Sequence, residues 1–405
     1  MTTGVWILGG HQTDFARNWT REGLEISDLA REVTTRTLED AGLEPADVGV
    51  IHVGNAFGEM FTGQGHLGGM PATVVPELWG VPAVRHEAAC ASGGTAILAA
   101  MADLEAGRYD VALVLGLELE RTVPGDVAAE RMRPASWAGH EAQATGFVWP
   151  HLFAALLDEY DRRYGVDDRH LRAIAELNFR NARANPLAQT RNWELSDRHL
   201  GPDDAVNPPV AGRLRRYDCA QITDGGTGLV LVSGRFLAER APSGPRSRIQ
   251  GWGHRTVALP LAPKLRRSAG GPYPLPHVRD AVHDAFRRAG IPGVEAVDAV
   301  ETHDCFTISE YLAIDHIGLT GPGESWKAIE NGDLERDGRC PVNPGGGLIG
   351  IGHPVGATGV RMVLDAHRQV TGTAGPTQLD RARRVATLNI GGSTTTAVGF
   401  VIGTD

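Results

Sequence analysis

One short stretch, Arg85–Met101 (RHEAACASGGTAILAAM), places a cysteine where it could act as a nucleophile. Cys90 is followed by Ala-Ser-Gly-Gly and then by an alanine- and leucine-rich run that predicts a helix through about Ala106. Unpaired N–H groups and the dipole at a helix start favour negative charge, so we expect this thiol to be biased toward thiolate, the form that attacks carbonyl carbons. By itself the stretch also fits a small buried cysteine that only packs at a helix start.

A second stretch, Asn343–Gly359 (NPGGGLIGIGHPVGATG), holds one histidine among many glycines, just before a predicted helix over Gly359–Val370. It lacks the lysine of a P-loop and the GxGxxG order of a dinucleotide site. A flexible loop and a phosphate cradle remain alternatives. His353 is placed where it could serve as a base for a thiol or as a hydrogen-bond donor to an oxyanion.

Length and composition bound the class of protein. The 405 residues suggest two or three domains, and 42% hydrophobic with 22% charged residues is typical of a soluble globular chain. The net charge of −10 argues against a nucleic-acid partner, and no apolar run approaches the roughly eighteen residues of a membrane span. The first residues lack a secretory pattern, and four cysteines without a CxxC pair indicate a reducing compartment and no zinc site. We therefore expect a cytoplasmic protein.

The elements around Cys90 alternate between strands and helices. Short apolar runs predict strands, an amphipathic segment predicts a helix, and the Cys90 helix lies between the last two strands. These segments are the strand Gly4–Leu8, the helix Ile26–Ala41, and the strands Val48–Val53 and Val111–Gly116. This order predicts the α/β fold class.

The pattern changes near residue 120. Two amphipathic helices, Leu152–Tyr164 and Asp168–Ala184, follow one another without a strand between them, so we interpret residues 120–211 as an inserted, mainly helical loop region. We expect the sheet to resume at Cys219–Asp224 and Gly228–Val232. The run Ala241–Pro245 (APSGP) predicts a domain boundary.

The second half of the chain repeats the first. The strand Ala299–Thr302 is followed by His303-Asp304-Cys305-Phe306, where the first half has Gly54-Asn55-Ala56-Phe57, and His353-x-x-Gly356 opens a helix as Cys90-x-x-Gly93 does. Such a duplication would bring two helix starts together, so that Cys90 and His353 face one another, although chance similarity of two βαβ units is also possible. We predict an N-terminal half (1–119 and 212–244), the inserted region (120–211) and a C-terminal half (245–405).

Three motifs carry a resemblance to a known family. HEAACASG, HDCF and GGGLIGIGHPVGATG, in this order, resemble the thiolase superfamily. The branch is similar to the sterol carrier protein-linked thiolases, which have HDCF where other thiolases have NEAF. The resemblance covers essentially the whole chain, including Cys219–Ser233 and Asn389–Gly403, and implies a thiolase-like fold of two similar halves.

The resemblance also implies roles for individual residues. Cys90 would be the nucleophile that takes up the acyl group, and His353 would be its base and a donor to the thioester oxygen. His303 would be a second donor, to the enolate oxygen.

One position departs from the common thiolase pattern. Asn389-Ile390-Gly391 stands where the family's acid/base cysteine of a CxG motif is expected. In the HDCF branch the cysteine of that motif is held to take this role, which implies that Cys305 moves the α-proton. The backbone N–H groups of Cys90 and Gly391 would form the second oxyanion hole.

The function so implied is a thiolase-type acyltransferase that cleaves or forms 3-oxoacyl-CoA thioesters. Coenzyme A and its thioesters would be the substrates, with no separate cofactor and no metal. Val81–Ala89 resembles the strand that pairs across the thiolase twofold axis, so we expect a homodimer or a dimer of dimers. Arg213, Arg215 and Arg216 could meet coenzyme A phosphates, although a basic run more often forms a solvated face.

Three other functions stay open. They are an aldol lyase acting on steroid side chains, which would be expected to lack Cys90; a decarboxylating ketoacyl synthase, against which HDCF counts; and a non-catalytic acyl-CoA or lipid carrier.

Overall fold

A computed structural model of the chain describes residues 4–142, 146–240 and 244–404. The strands of these residues are β1 (Val5–Gln12), β2 (Val50–Gly54), β3 (Ala83–His86), β4 (Val111–Glu118), β5 (Pro209–Ala211), β6 (Leu214–Arg215), β7 (Gly225–Ser233), β8 (Ser247–Thr256), β9 (Ala299–Thr302), β10 (Arg384–Gly391) and β11 (Thr396–Gly403). The α-helices are α1 (Ile26–Ala41), α2 (Gly58–Thr62), α3 (Met70–Val74), α4 (Ser92–Glu105), α5 (Gly125–Arg131), α6 (Val148–Tyr164), α7 (Asp168–Arg183), α8 (Asp197–Leu200), α9 (Gly234–Arg240), α10 (Leu261–Arg267), α11 (Pro276–Arg288), α12 (Thr307–His316), α13 (Ser325–Glu330), α14 (Gly347–Ile351) and α15 (Thr358–Thr371). None of these described helices combines the length and the apolar character needed to cross a bilayer.

A mixed sheet of nine strands runs in the order β3-β2-β4-β7-β1-β8-β11-β10-β9. Its centre is the antiparallel pair β1–β8. Outward from this pair both sides show the same sequence of neighbours: two antiparallel pairings and then a parallel one. The predicted α/β fold with two similar halves is confirmed.

Two helices form a buried layer against the strands of both halves. Apolar side chains of α4 and α15 share one core cluster with residues of β1, β4 and β7 and of β8, β10 and β11. The helix α1 packs on the opposite side of the first-half strands. Every residue of β4 is buried. Because successive strand side chains point to opposite faces of a sheet, this burial means that β4 is covered on both sides.

Glycines let α4 and α15 touch backbone to backbone at their N-terminal ends. A Cβ on Gly359 would lie 2.3 Å from the backbone nitrogen of Gly94, and one on Gly93 would lie 2.8 Å from the carbonyl oxygen of Gly356. Both distances are far below van der Waals contact, so a side chain at either position would push the helices apart. This contact sets how closely the segments that precede the two helices approach.

The region predicted as an insertion is mainly helical, with α5 to α8 and the small β5–β6 hairpin. The domain boundaries remain predictions, and Ala241–Ser243 of the predicted break lie outside the described residues.

One element was predicted wrongly. Cys219–Asp224 is not a strand; the strand begins at Gly225. Asp224 accepts hydrogen bonds from the backbone N–H groups of Glu120 (2.8 Å), Arg121 (2.8 Å) and Trp19 (3.3 Å), which fixes this stretch to neighbouring loops. Cys219 instead forms an isolated bridge with Phe306, beside the HDCF motif.

We predict that Gly359→Ala lowers the free energy of unfolding by roughly 1–2 kcal/mol, because overpacking against backbone outweighs the gain of about 1 kcal/mol in helix propensity. Urea unfolding followed by circular dichroism measures the loss. Gly270→Ala is the control, since nothing lies within 4 Å of a Cβ there. Equal stability of the two variants would show that the helices have room to separate.

Candidate active site

Cys90 lies in a tight turn between β3 and α4. The preceding Ala89 has φ = 50°, in the left-handed region that residues with a Cβ rarely adopt. Ser92 holds the turn, because its Oγ accepts from Ala88 N (2.9 Å) and donates to Ala89 O (2.6 Å). The cysteine and serine of CASG are therefore coupled: the serine fixes the turn that presents the thiol.

The Cys90 thiol is neutral at rest. Burial, followed by the nearby charge of Glu120, raises the pKa of Cys90 to about 12, although the backbone N–H groups of Gly392 and Cys90 act to lower it. The expected bias toward thiolate is wrong, because desolvation outweighs the helix start. A proton must leave Cys90 when it attacks, so a base has to stand close by.

His353 is held in one orientation and one tautomer. Its backbone N–H donates to Thr223 Oγ1 (2.9 Å), and its Nδ1 lies 2.7 Å from Thr358 Oγ1. Because the Thr358 hydroxyl donates to Pro354 O (2.9 Å), the proton of the Nδ1 contact belongs to His353. Nε2 then keeps its lone pair and has no partner among the described residues. Burial lowers the pKa of His353 to about 3, so the ring is a neutral base.

His303 has the opposite tautomer. The side-chain nitrogen of Asn389 donates to Cys90 O (3.0 Å) and lies 3.3 Å from His303 Nδ1. A carbonyl oxygen can only accept, so the amide orientation is fixed and Nδ1 of His303 accepts the second amide proton. Nε2 therefore carries the ring hydrogen. Burial, with the neighbouring His353, holds the pKa of His303 well below its usual value.

Cys90, His303 and His353 converge. One ligand atom from each lies within 4.8 Å of the others, and the two imidazole rings are 5.2 Å apart at an interplanar angle of 84°. Three atoms at this spacing could bind one metal ion. In the tautomer that His303 adopts, however, Nε2 carries a hydrogen rather than a free lone pair. The arrangement instead provides a thiol, an acceptor for its proton and a neutral donor for an oxygen.

Cys305 lies on the wall of the same cavity as Cys90 and His353. Its Sγ is 3.6 Å from Ser309 Oγ, and its backbone carbonyl accepts from Ala220 N (2.9 Å). Burial, followed by the proximity of Cys90, raises the pKa of Cys305 well above its usual value. Like Cys90, it is a neutral thiol.

Gly391 ends β10 directly beneath the Cys90 turn. A Cβ there would lie 2.2 Å from Ala88 O, so only glycine fits. The amides that act to lower the pKa of Cys90, however, are its own and that of the next residue, Gly392, which also lines the cavity.

The cavity beside Cys90 has a volume of about 270 Å³ and a mostly apolar wall. Five aromatic side chains contribute to it: Phe57, Phe147, Trp149, Phe153 and Phe306. Of the three arginines considered for coenzyme A, only Arg216 is on this wall. Arg213 is paired with Asp168, and Arg215 donates to Asp204 Oδ1 (2.7 Å).

Several buried polar residues that support the site were not singled out from the sequence. Asp304 accepts from Leu348 N (2.6 Å) and Ile349 N (3.1 Å) and so ties the HDCF motif to the glycine-rich loop before His353. Glu118 accepts from Ala56 N (2.9 Å) and Gly356 N (3.0 Å). The aspartate within HDCF was the available signal for the first of these contacts.

Comparison with known proteins identifies the family. The N-terminal domain of thiolase matches residues 5–235, and a thiolase C-terminal domain-like profile matches residues 272–404. The chain belongs to the thiolase family. An acetyl-CoA acetyltransferase of Methanothermobacter thermautotrophicus is 32% identical over 97% of each chain. Sterol carrier protein 2 of Gallus gallus is 27% identical, over 96% of this chain and 70% of its own length.

A solved structure described as an Ltp2-ChsH2(DUF35) aldolase shares the fold, with a TM-score of 0.79 at 21% identity over 100% of this chain and 98% of that one. The resemblance inferred from the three motifs is thus confirmed at the level of family and fold, and the chain is a thiolase-type acyltransferase by relationship.

Proposed function

We propose that the protein is an acetyl-CoA C-acyltransferase that works through an acyl-enzyme on Cys90. The observation that carries the proposal is the convergence of one thiol with two neutral histidines of opposite tautomer. A carrier that only binds acyl-CoA has no need of a paired nucleophile and base. An aldol lyase has no need of Cys90.

In the first half-reaction the Cys90 sulfur attacks a carbonyl carbon, and its proton passes to Nε2 of His353. With a thioester, the carbon–sulfur bond to coenzyme A breaks and the departing thiolate takes up that proton. The resting pair of a thiol of pKa about 12 and an imidazole of pKa about 3 favours the neutral state, so the transfer accompanies the attack. Backbone N–H groups near the sulfur, those of Cys90 and of Gly391 or Gly392, would stabilise the oxyanion.

In the second half-reaction a base removes the α-proton of acetyl-CoA, and the carbanion attacks the acyl carbon on Cys90. The new carbon–carbon bond forms as the bond to Cys90 sulfur breaks, which gives the 3-oxoacyl-CoA; thiolysis is the reverse. We assign the α-proton to Cys305, whose thiol proton first passes to the neutral Nε2 of His353; the imidazolium then protonates the Cys90 thiolate as it departs. The stabilisation of the enolate oxygen is assigned to Nε2–H of His303. Asn389 cannot move a proton, but it fixes the tautomer that makes His303 a donor.

Coenzyme A and its thioesters are the proposed substrates, and Arg216 is the arginine on the cavity wall that could meet them. The four cysteines are free thiols, which supports a cytoplasmic location.

We predict that Cys90→Ser lowers acyl transfer by at least three orders of magnitude and leaves the fold intact, because the covalent intermediate is lost. Intact mass spectrometry after incubation with acetoacetyl-CoA and coenzyme A should detect an acyl adduct on the wild type only. Cys340→Ala is the control, since that buried thiol lies outside the cavity. More than a tenth of wild-type thiolysis in Cys90→Ser would exclude Cys90 as the nucleophile.

We predict that Cys305→Ala still accepts an acyl group on Cys90 but loses nearly all carbon–carbon bond formation and cleavage, because no group remains to move the α-proton. Acylation is followed by intact mass, and α-proton exchange by deuterium uptake into acetyl-CoA. Cys340→Ala again serves as control. Unchanged deuterium uptake in Cys305→Ala would assign the proton to another group and leave Cys305 a packing residue.

We also propose a homodimer or a dimer of dimers, because β3 is an edge strand with a free side and its Val84 is 51% exposed. Sedimentation velocity at micromolar concentration should give a dimer or tetramer. A stable monomer would contradict the proposal.

A further inference from the structure

The acyl cavity contains one carboxyl group to which the reaction above gives no role. Glu120 follows the end of β4 and is 1% exposed. Among the described residues that line the cavity it is the only acidic one, and the remaining wall is dominated by aromatic and aliphatic side chains. A carboxyl group in such surroundings is costly unless each of its oxygens has a partner.

Only one of the two carboxyl oxygens of Glu120 has a hydrogen-bond partner among the described residues. Its Oε1 accepts from Val355 N (3.1 Å), two residues after His353, and its backbone N–H donates to Asp224 Oδ1 (2.8 Å). Its Oε2 has no partner among the described residues. The neighbouring Glu118 differs, because both of its oxygens are bonded. Glu141, Glu301 and Glu310 also have one buried oxygen without a partner among the described residues, but of these four glutamates only Glu120 lines the cavity.

The surroundings keep Glu120 uncharged. Burial, followed by the charge of Glu118, raises its pKa well above the usual value, and Asp224 acts in the same direction, while the backbone N–H groups of Val355 and Thr223 act to lower it. A neutral carboxylic acid has one O–H donor. With Oε1 engaged as an acceptor, the proton belongs on Oε2, which has no acceptor among the described residues.

The cavity walls limit what such a ligand can be. A cavity of roughly 150 Å³ is enough to hold benzene, so about 270 Å³ admits a ring and a short chain. Aromatic walls favour an apolar ring. A carboxylate on the ligand would be repelled by any negative charge on the nearby Glu118 and Asp224, which disfavours an anionic substituent.

We propose that Glu120 is a hydrogen-bond donor that selects aryl or alicyclic acyl groups carrying one uncharged oxygen. This inference rests on the proposed function for the identity of the cavity as the acyl site. A site built to bond a substrate oxygen discriminates against an analogue that lacks it, because the buried donor is then left unpaired. Glu120 thus adds specificity rather than a chemical step.

Two thioesters that differ by one carbonyl test the proposal: 4-oxo-4-phenylbutanoyl-CoA and 4-phenylbutanoyl-CoA. Calorimetric titration of Cys90→Ala gives both dissociation constants without any acylation. We expect the oxo compound to bind at least about tenfold more tightly, which is the effect of one good hydrogen bond. In Cys90→Ala with Glu120→Leu the preference should fall to within twofold, and with Glu120→Gln, which keeps an N–H donor, most of it should remain.

Glu310→Gln in the same background is the matched control, since this buried glutamate also has one oxygen without a partner among the described residues but does not line the cavity, and it should keep the preference. A ratio within twofold when Glu120 is present, or a preference that survives Glu120→Leu, would overturn the proposal. If that variant does not fold, Glu120→Met takes its place under the same criterion. Failure of the proposed function shows separately, as the absence of any acyl adduct on the wild-type chain.

Discussion

The backbone contact between α4 and α15 is the constraint on which the site depends. Cys90 precedes one helix and His353 precedes the other, and each comes from a different half of the chain. Had Gly93 or Gly359 a side chain, the axes would separate by the thickness of a methyl group or more, and a proton could not pass directly between sulfur and imidazole. The many glycines of the second motif are thus explained by packing as much as by loop conformation.

Neutrality is the second property that unites the site. His303, Cys305 and His353 are buried and Cys90 is partly buried, and desolvation moves each pKa toward the uncharged form. Charge therefore arises only when a substrate is present to receive it, and fixed donors are already oriented toward that charge. Thr358 and Asn389 contribute by choosing which nitrogen of each ring carries the hydrogen. Two rings of the same residue type thereby obtain different chemical capacities.

The sequence was sufficient for the parts of the fold that local patterns encode. Short apolar runs located β1, β2, β4 and β9, whereas β8, β10 and β11 were not assigned as strands, and motif order singled out Cys90, His303, Cys305 and His353. Cys219–Asp224 was misassigned because its apolar residues line a cavity rather than a sheet. The histidine tautomers and the role of Glu120 could not be predicted, because they depend on hydrogen-bond partners that can be far away in the sequence. Glu120 and its partner Val355, for example, are 235 residues apart. The prediction that Cys90 is biased toward thiolate was wrong because the sequence shows the helix start but does not show the desolvation that raises the pKa of the thiol.

The central layer has a consequence for how the molecule assembles. Because α4 and α15 share one core cluster with strands of both halves, either half alone would leave part of that cluster uncovered. A half that formed first would expose an apolar helix face together with the backbone groups that face its glycines. Docking of the halves is therefore part of folding rather than a later association of finished domains. Because Cys90 precedes α4 and His353 precedes α15, the thiol and the imidazole are brought together only when the two halves pack.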